Sequence, residues 1–180
     1  MSLLQEGKSR KLTAGEILLA KKVFRDGIRY EKVSVFNDSY LPFGMQSRDV
    51  AMTPNGSLYF RAPNYSDDFS KEYGRIQHWF IHEMVHVLQH QIGMNVRMRG
   101  LLSWAASYNY SLPPDKKLSD FNMEQQASII SDYFCLVHLG LSEFKVISTF
   151  KGIIGPDILD KYEKTLEVFL LKANDSRAFL

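Results

Sequence analysis

Residues 78–93 read HWFIHEMVHVLQHQIG and place His78, His82, His86 and His90 at a constant spacing of four. Four helical residues advance about 400°, so the four imidazoles form one slanted row along a helix. Only His82 is followed by a carboxylate and then by the next histidine of the row, giving His82-Glu83-Met84-Val85-His86. Two imidazoles from successive turns are two tetrahedral ligands for zinc, and Glu83, turned about 100° from His82, points beside the ion, where it can hold water. Zinc lowers the pKa of such a water, Glu83 is placed to take its proton, and a polarised carbonyl is the target: metal-assisted hydrolysis, most often of a peptide bond. The neighbours Trp79, Phe80, Ile81, Met84, Val85, Val87 and Leu88 make this helix apolar on nearly every side, which predicts a buried central helix. A buried Glu83 among histidines is costly without a cation or hydrogen-bond donors. His78 and His90, which lack the following carboxylate, are read as packed or outlying residues of the row.

A catalytic zinc takes three protein ligands and keeps one position for water. The metzincin continuation of the motif needs a glycine at position 89 and a histidine at position 92, but the chain has Gln89 and Ile92, so that class is excluded. A downstream helix, NMEQQASIISDYF, offers Glu124 instead. Its stripe Glu124, Ala127, Ser128, Ser131, Asp132, Cys135 is small or acidic after the glutamate, which allows close approach to the histidine helix. Glu124 then reaches the ion, and Asp132 reaches an imidazole N–H beside it. The alternative is that Glu124 only complements the dipole of its own first helical turn. Tyr108 and Tyr110, in the aromatic loop between the two helices, are candidate donors to a reacting oxyanion or else packing residues. His138 is read as packed and Cys135 as buried and inert.

The elements that must position these groups are read from caps and periodicity. Thr13 and Glu16 at capping-box spacing open a helix over residues 13–26, with Gly27 as its stop. IRYEKVSVF at 28–36 and GSLYFRA at 56–62 alternate as strands do, the second after the turn Pro54-Asn55-Gly56. The histidine helix spans about 68–92 and closes at Gly93. Residues 102–121, with a Pro-Pro pair, read as a loop; 122–139 read as a helix ending at Gly140, and a last helix runs from about 156 to 173. The expected fold is α+β: one domain over 1–180, a small sheet with an edge strand packed on the central histidine helix, and a second ligand-bearing helix.

The bulk properties narrow the partners. The chain has 180 residues, 45% of them hydrophobic, enough to bury one core. A balance of 22 Lys+Arg against 20 Asp+Glu, formally +2, argues against nucleic acid as the main partner. One cysteine excludes an internal disulfide or a Cys-rich zinc cluster. The start MSLLQEGKSRKL lacks the apolar core of a secretory signal, and no run is long enough to cross a bilayer. The expectation is cytoplasmic synthesis without membrane insertion, and export, if any, without a signal peptide.

HEMVHVLQ at 82–89 joined to EQQASIISDYF at 124–134 resembles a zincin metallopeptidase of the gluzincin type, and is similar in layout to minimal bacterial members. MTPNGSLYF followed by the IHEMVHVLQHQ helix resembles small proteins encoded near Rhs and VgrG components of type VI secretion. The resemblance covers roughly residues 50–138 and implies zinc held by His82, His86 and Glu124, Glu83 as general base, and a peptide or protein substrate. It further implies that a strand such as SLYFRA borders the cleft and pairs with the substrate backbone, and that secretion-apparatus proteins are partners. The sequence departs from larger gluzincins in having Ser128, not an aspartate, four residues after Glu124, with the acid at Asp132. A catalytically weak metal-binding accessory or adaptor protein of a secretion system is the competing expectation.

Overall fold

A computed structural model of the chain describes residues 5–96 and 107–180. Strand β1 (Lys8–Lys11) pairs antiparallel with β2 (Ser34–Asn37), which pairs in parallel with β3 (Leu58–Phe60). Helix α1 (Ala14–Phe24) lies between β1 and β2 in sequence, and α2 (Gly74–Gln91) follows the sheet. Then come α3 (Met123–Phe134), which runs on through a wider turn at Cys135–Leu139, and the shorter α4 (Leu141–Ile147), α5 (Ile158–Thr165) and α6 (Glu167–Leu171). This is an α+β architecture with a three-stranded sheet.

The core lies between sheet and helices, and α2 runs through it. Phe80, Ile81, Met84, Val85, Val87 and Leu88 are wholly buried, as the apolar surround of the histidine row predicts. Phe60 of β3 meets Trp79 edge-on with ring centroids 5.4 Å apart, and Phe69 stacks on Phe80 at 5.3 Å, so the sheet rests against the first turns of α2. The apolar stripe holds α2 at the centre, and the polar residues it carries are buried with it.

Glu16 fixes the other side of the sheet. Thr13 and Glu16 form the expected capping box: the Glu16 N–H donates to Thr13 Oγ1 at 3.1 Å and the Thr13 N–H to Glu16 Oε2 at 2.8 Å. Glu16 is also fully buried and accepts from both guanidinium ends of Arg10, at 2.8 and 2.7 Å, and from the Phe69 N–H at 3.0 Å. One carboxylate therefore ties β1, α1 and the approach to α2 together, with a donor for each oxygen.

Several boundaries differ from the sequence reading. The stretch expected as a strand over 28–36 is extended only from Ser34, because residues 30–32 form a single tight turn and Tyr30 folds back to donate its hydroxyl to the Arg25 carbonyl at 2.7 Å. Helix α2 starts at Gly74, since Asp68 caps a separate turn at Phe69–Lys71 instead. It closes as expected, with Gly93 at φ +95. The last expected helix breaks at Leu166 into α5 and α6. Strand β1 and helix α4 were not anticipated: three of the four β1 residues are exposed, so no apolar alternation marks the strand. The expected loop over 102–121 is irregular in its described part, residues 107–121, apart from a single turn at Leu118–Asp120. No helix among the described residues is long and apolar enough to cross a membrane.

Replacing Glu16 by alanine leaves Arg10 and two N–H groups without their shared acceptor. Breaking a buried ion pair from one side costs about 3–5 kcal/mol, so Glu16→Ala should lose about that much unfolding free energy in urea titration. A loss below about 1 kcal/mol would remove Glu16 from this role.

Candidate metal centre

Helices α2 and α3 run antiparallel. Gln89 meets the start of α3, His82 and His86 meet Glu124, and His78 meets Asp132 two turns further on. The Asn122 side chain accepts from the Gln125 N–H at 2.9 Å and so caps α3, placing Glu124 in its first turn. Buried Ala127, Ser128 and Ser131 leave room for the approach.

His82, His86 and Glu124, all buried, bring one donor atom each within 4.8 Å of one another. Glu124 Oε2 lies 3.3 Å from His82 Nε2 and 3.2 Å from His86 Nε2. Ligands at 2.0–2.1 Å from a tetrahedral zinc are separated by about 3.3 Å along each edge. The protonation state of His86 sharpens the test. Gln126 donates its amide to the carbonyls of Leu118, Phe121 and Phe179 at 3.3, 3.0 and 3.0 Å, so its oxygen is left to accept from Gln89 Nε2 at 3.0 Å. Gln89 Oε1 is thereby turned to His86 Nδ1 at 2.8 Å and accepts its hydrogen. A neutral His86 consequently presents a bare Nε2 lone pair to a carboxylate oxygen, an arrangement that a cation between them, or a second ring proton, makes favourable. The donor set, its spacing and its orientation fit zinc.

Electrostatics agree. Burial alone raises the Glu124 carboxyl, but the imidazoles of His86 and His82 outweigh it and hold the group well below the ordinary carboxylate range. For His86, burial works against the imidazolium, yet the carboxylates of Glu124 and Glu83 raise the ring to about 9 in the metal-free protein.

Glu83 is buried and stands outside the cluster. Thr53 Oγ1 donates to Glu83 Oε2 at 2.6 Å. The cluster and Glu83 line a cleft of about 860 Å³, within the usual range for ligand sites. Its walls include Tyr40–Pro42 and Asp49–Pro54 on one segment, and Tyr108, Ile147 and Thr149 from others.

The remaining expected site residues divide. Tyr108 lines the cleft with its ring centroid 5.9 Å from that of His82; burial first, then the charges of Glu124 and Glu83, raise its hydroxyl far above the ordinary tyrosine range. It keeps its proton and remains a donor. Tyr110 takes the packing alternative and not the oxyanion one: it is buried, with its hydroxyl donated to Asp132 Oδ2 at 2.6 Å and in contact with the Tyr162 hydroxyl, so it faces the core and not the cleft. Asp132 does receive an imidazole, but that of His78 at 2.7 Å, not of a cluster histidine. His90 is exposed and outside the cluster. Cys135 is buried, and burial raises its thiol to about 12, which accords with an inert role. The strand expected to border the cleft is also corrected: Tyr59 of β3 exchanges two backbone hydrogen bonds with Met52, at 3.1 and 2.9 Å, so residues 51–54 form the cleft border outside β3. Gln89 and Thr53 were missed. Gln89 carried a signal, three residues past His86 on the same buried helix; Thr53, thirty residues from Glu83, carried none.

No family model matches this chain. Among solved structures, the effector domain of Pseudomonas aeruginosa VgrG2b superposes with a TM-score of 0.66 at 38% identity, over 83% of this chain and 89% of that one. The type VI secretion system spike protein VgrG2b of the same organism is 41% identical over 152 residues, 81% of this chain. The chain spans only about 15% of the length of that spike protein. It belongs to the family of the VgrG2b effector domain.

The paired shifts give a pH prediction for chelator-treated protein. The His86 pKa is raised from 6.5 to about 9, so its contribution to stability is complete below 6.5 and is lost as pH rises through 9. The Glu124 pKa is lowered, so its contribution is complete above 4.5 and lost on acidification. Metal-free protein should therefore melt at its highest temperature between about pH 5 and 6.5 and at falling temperatures toward pH 9, and added zinc should abolish the alkaline fall. An identical profile with and without zinc would contradict this.

Proposed function

We propose that this chain is a zinc-dependent peptidase with a minimal zincin-like, gluzincin-type arrangement, deployed as an effector of a type VI secretion system. The observation that carries the chemistry is the convergence of His82 Nε2, His86 Nε2 and Glu124 Oε2 at tetrahedral-edge distances beside a separate, oriented carboxylate. A closed structural site takes four protein ligands, whereas here three are offered and a base stands next to them. The secretion context rests on kinship with a domain described as an effector and with a spike protein. It makes secretion-apparatus proteins partners and export independent of a cleaved signal peptide.

His82, His86 and Glu124 would hold the zinc, which when bound supplies Lewis-acid polarisation of a carbonyl and acidifies water. Glu83 accepts the proton of the attacking water and returns it to the leaving amine, while Thr53 holds one carboxylate oxygen so that the other faces the cleft. Gln89 keeps the His86 Nδ1 hydrogen in place and so leaves Nε2 as the ligand atom. Tyr108, protonated and at the cleft, donates to the oxygen that gains charge. Its loop is positioned by Gln125, which donates to the Asn109 carbonyl at 2.8 Å, and by Thr149, which donates to the Tyr108 carbonyl at 3.0 Å.

The test is turnover of a pool of synthetic peptides followed by mass spectrometry, comparing the full chain with Glu83→Gln. The variant should bind zinc equally and cleave about 10²–10⁴-fold more slowly, the usual loss on removing a general base. Equal cleavage by both proteins would overturn the peptidase reading, and no cleavage by either would favour the weak accessory or adaptor protein.

A further inference from the structure

We propose that the end of the cleft nearest the start of α2 is a subsite for a carboxylate, held by Arg75 beside the fixed ring of His78, and that the substrate is a peptide bearing an acidic group a few residues from the bond cut. This inference rests on the peptidase reading above. Arg75, His78 and His82 share one helical stripe, at steps of three and four, and all three line the cleft. Arg75 is exposed, and it is the one lysine or arginine among the described residues lining the cleft. No acceptor among the described residues lies within hydrogen-bonding distance of its guanidinium. A fork of donors at the edge of a largely apolar cleft is suited to a planar carboxylate.

His78 supplies the wall beside it. Its Nε2 is held at 2.7 Å from Oδ1 of the fully buried Asp132, whose Oδ2 accepts from Tyr110 Oη at 2.6 Å and from the Thr149 N–H at 3.0 Å. Three donors from three segments fix that carboxylate, and through it the imidazole plane. The side chain of His78 is 13% exposed and lines the cleft. The fixed ring of His78 is thus a rigid wall beside Arg75, and the guanidinium supplies the donors. Asp49, the other charged cleft residue outside the catalytic group, sits on the loop wall and repels an anion there, which confines the carboxylate to the α2 side.

Spacing sets the register. His78 and Arg75 precede the midpoint of His82 and His86 by six and nine residues, about 9 and 13 Å along the helix axis. An extended peptide advances about 3.3–3.6 Å per residue, so the recognised carboxylate stands about two to four residues from the scissile bond. It is either an acidic side chain or the chain terminus.

Binding, rather than turnover, separates this from the peptidase reading. Zinc-loaded full chain carrying Glu83→Gln is immobilised and probed with three synthetic peptide libraries: Asp/Glu-containing with amidated C-termini, acid-free with free C-termini, and acid-free with amidated C-termini. One of the first two should be retained about tenfold more than the third, and which one identifies the source of the carboxylate. Adding Arg75→Ala should remove the preference while the third library is retained as before, and Arg75→Lys should restore part of it. Equal retention of all three libraries, or a preference unchanged by Arg75→Ala, overturns the subsite. A peptidase that cleaves without this preference would leave the hydrolytic reading intact.

Discussion

The rest of the site depends on how one buried amide chain spends its hydrogen bonds. Three backbone carbonyls, two before α3 and one at Phe179, take the amide hydrogens of Gln126. That choice leaves the Gln126 oxygen to accept from Gln89, and leaves the Gln89 oxygen to accept from His86 Nδ1. At each step a fully engaged donor decides the role of the next group, so the His86 lone pair ends on Nε2, aimed at Glu124. A buried lone pair facing a buried carboxylate is unfavourable alone, and the arrangement becomes stable with a cation between them or an added proton. The hydrogen bonding thus fixes a place between His86 and Glu124 for a cation or a proton, and residues near the C-terminus take part through Phe179.

The same two helices carry a second buried polar crossing at His78 and Asp132, and this explains their alignment. Between the crossings the interface is lined by small residues, so the helices can approach closely enough for a short glutamate side chain to reach two imidazoles. The walls are built separately. Gln46, buried at the root of the loop, donates to the carbonyls of Val50 and Tyr59 at 2.8 and 2.9 Å and accepts from the Tyr40 N–H at 2.9 Å. Arg61 donates to the carbonyls of Gly44 and Gln46, both at 2.8 Å. The loop that brings Thr53 to Glu83 is therefore braced from within, which suits a residue that must hold a base in one orientation.

What was legible in the sequence follows from periodicity. His82, Glu83, His86 and Glu124 were readable because helices fix which residues share a face, and the small stripe after Glu124 announced a close helix partner. Gly93 and Gly140, both at positive φ, marked helix ends correctly. Contacts made between distant segments left no such trace. Thr53 meets Glu83 only because a loop folds over α2, and Tyr108 and Tyr110, two apart in an irregular segment, took different surroundings that no repeat could foretell. Strand β1 hid for a related reason: KSRK is polar throughout, and it is held by pairing with β2 and by the Arg10–Glu16 bond. Asp132 was recognised as an acid near an imidazole, but its partner is set by helix register, which favours His78 over the histidines one and two turns on.

X-ray absorption at the zinc edge, on stoichiometrically loaded full chain, reads the ligands of the ion at His82, His86 and Glu124. The account predicts one zinc per chain with two imidazole nitrogens and oxygen donors completing a first shell at about 2.0–2.1 Å, and one fewer imidazole in His86→Ala. Failure to load a single equivalent, or a first shell containing sulfur or more than two imidazoles, would contradict the His82, His86, Glu124 site.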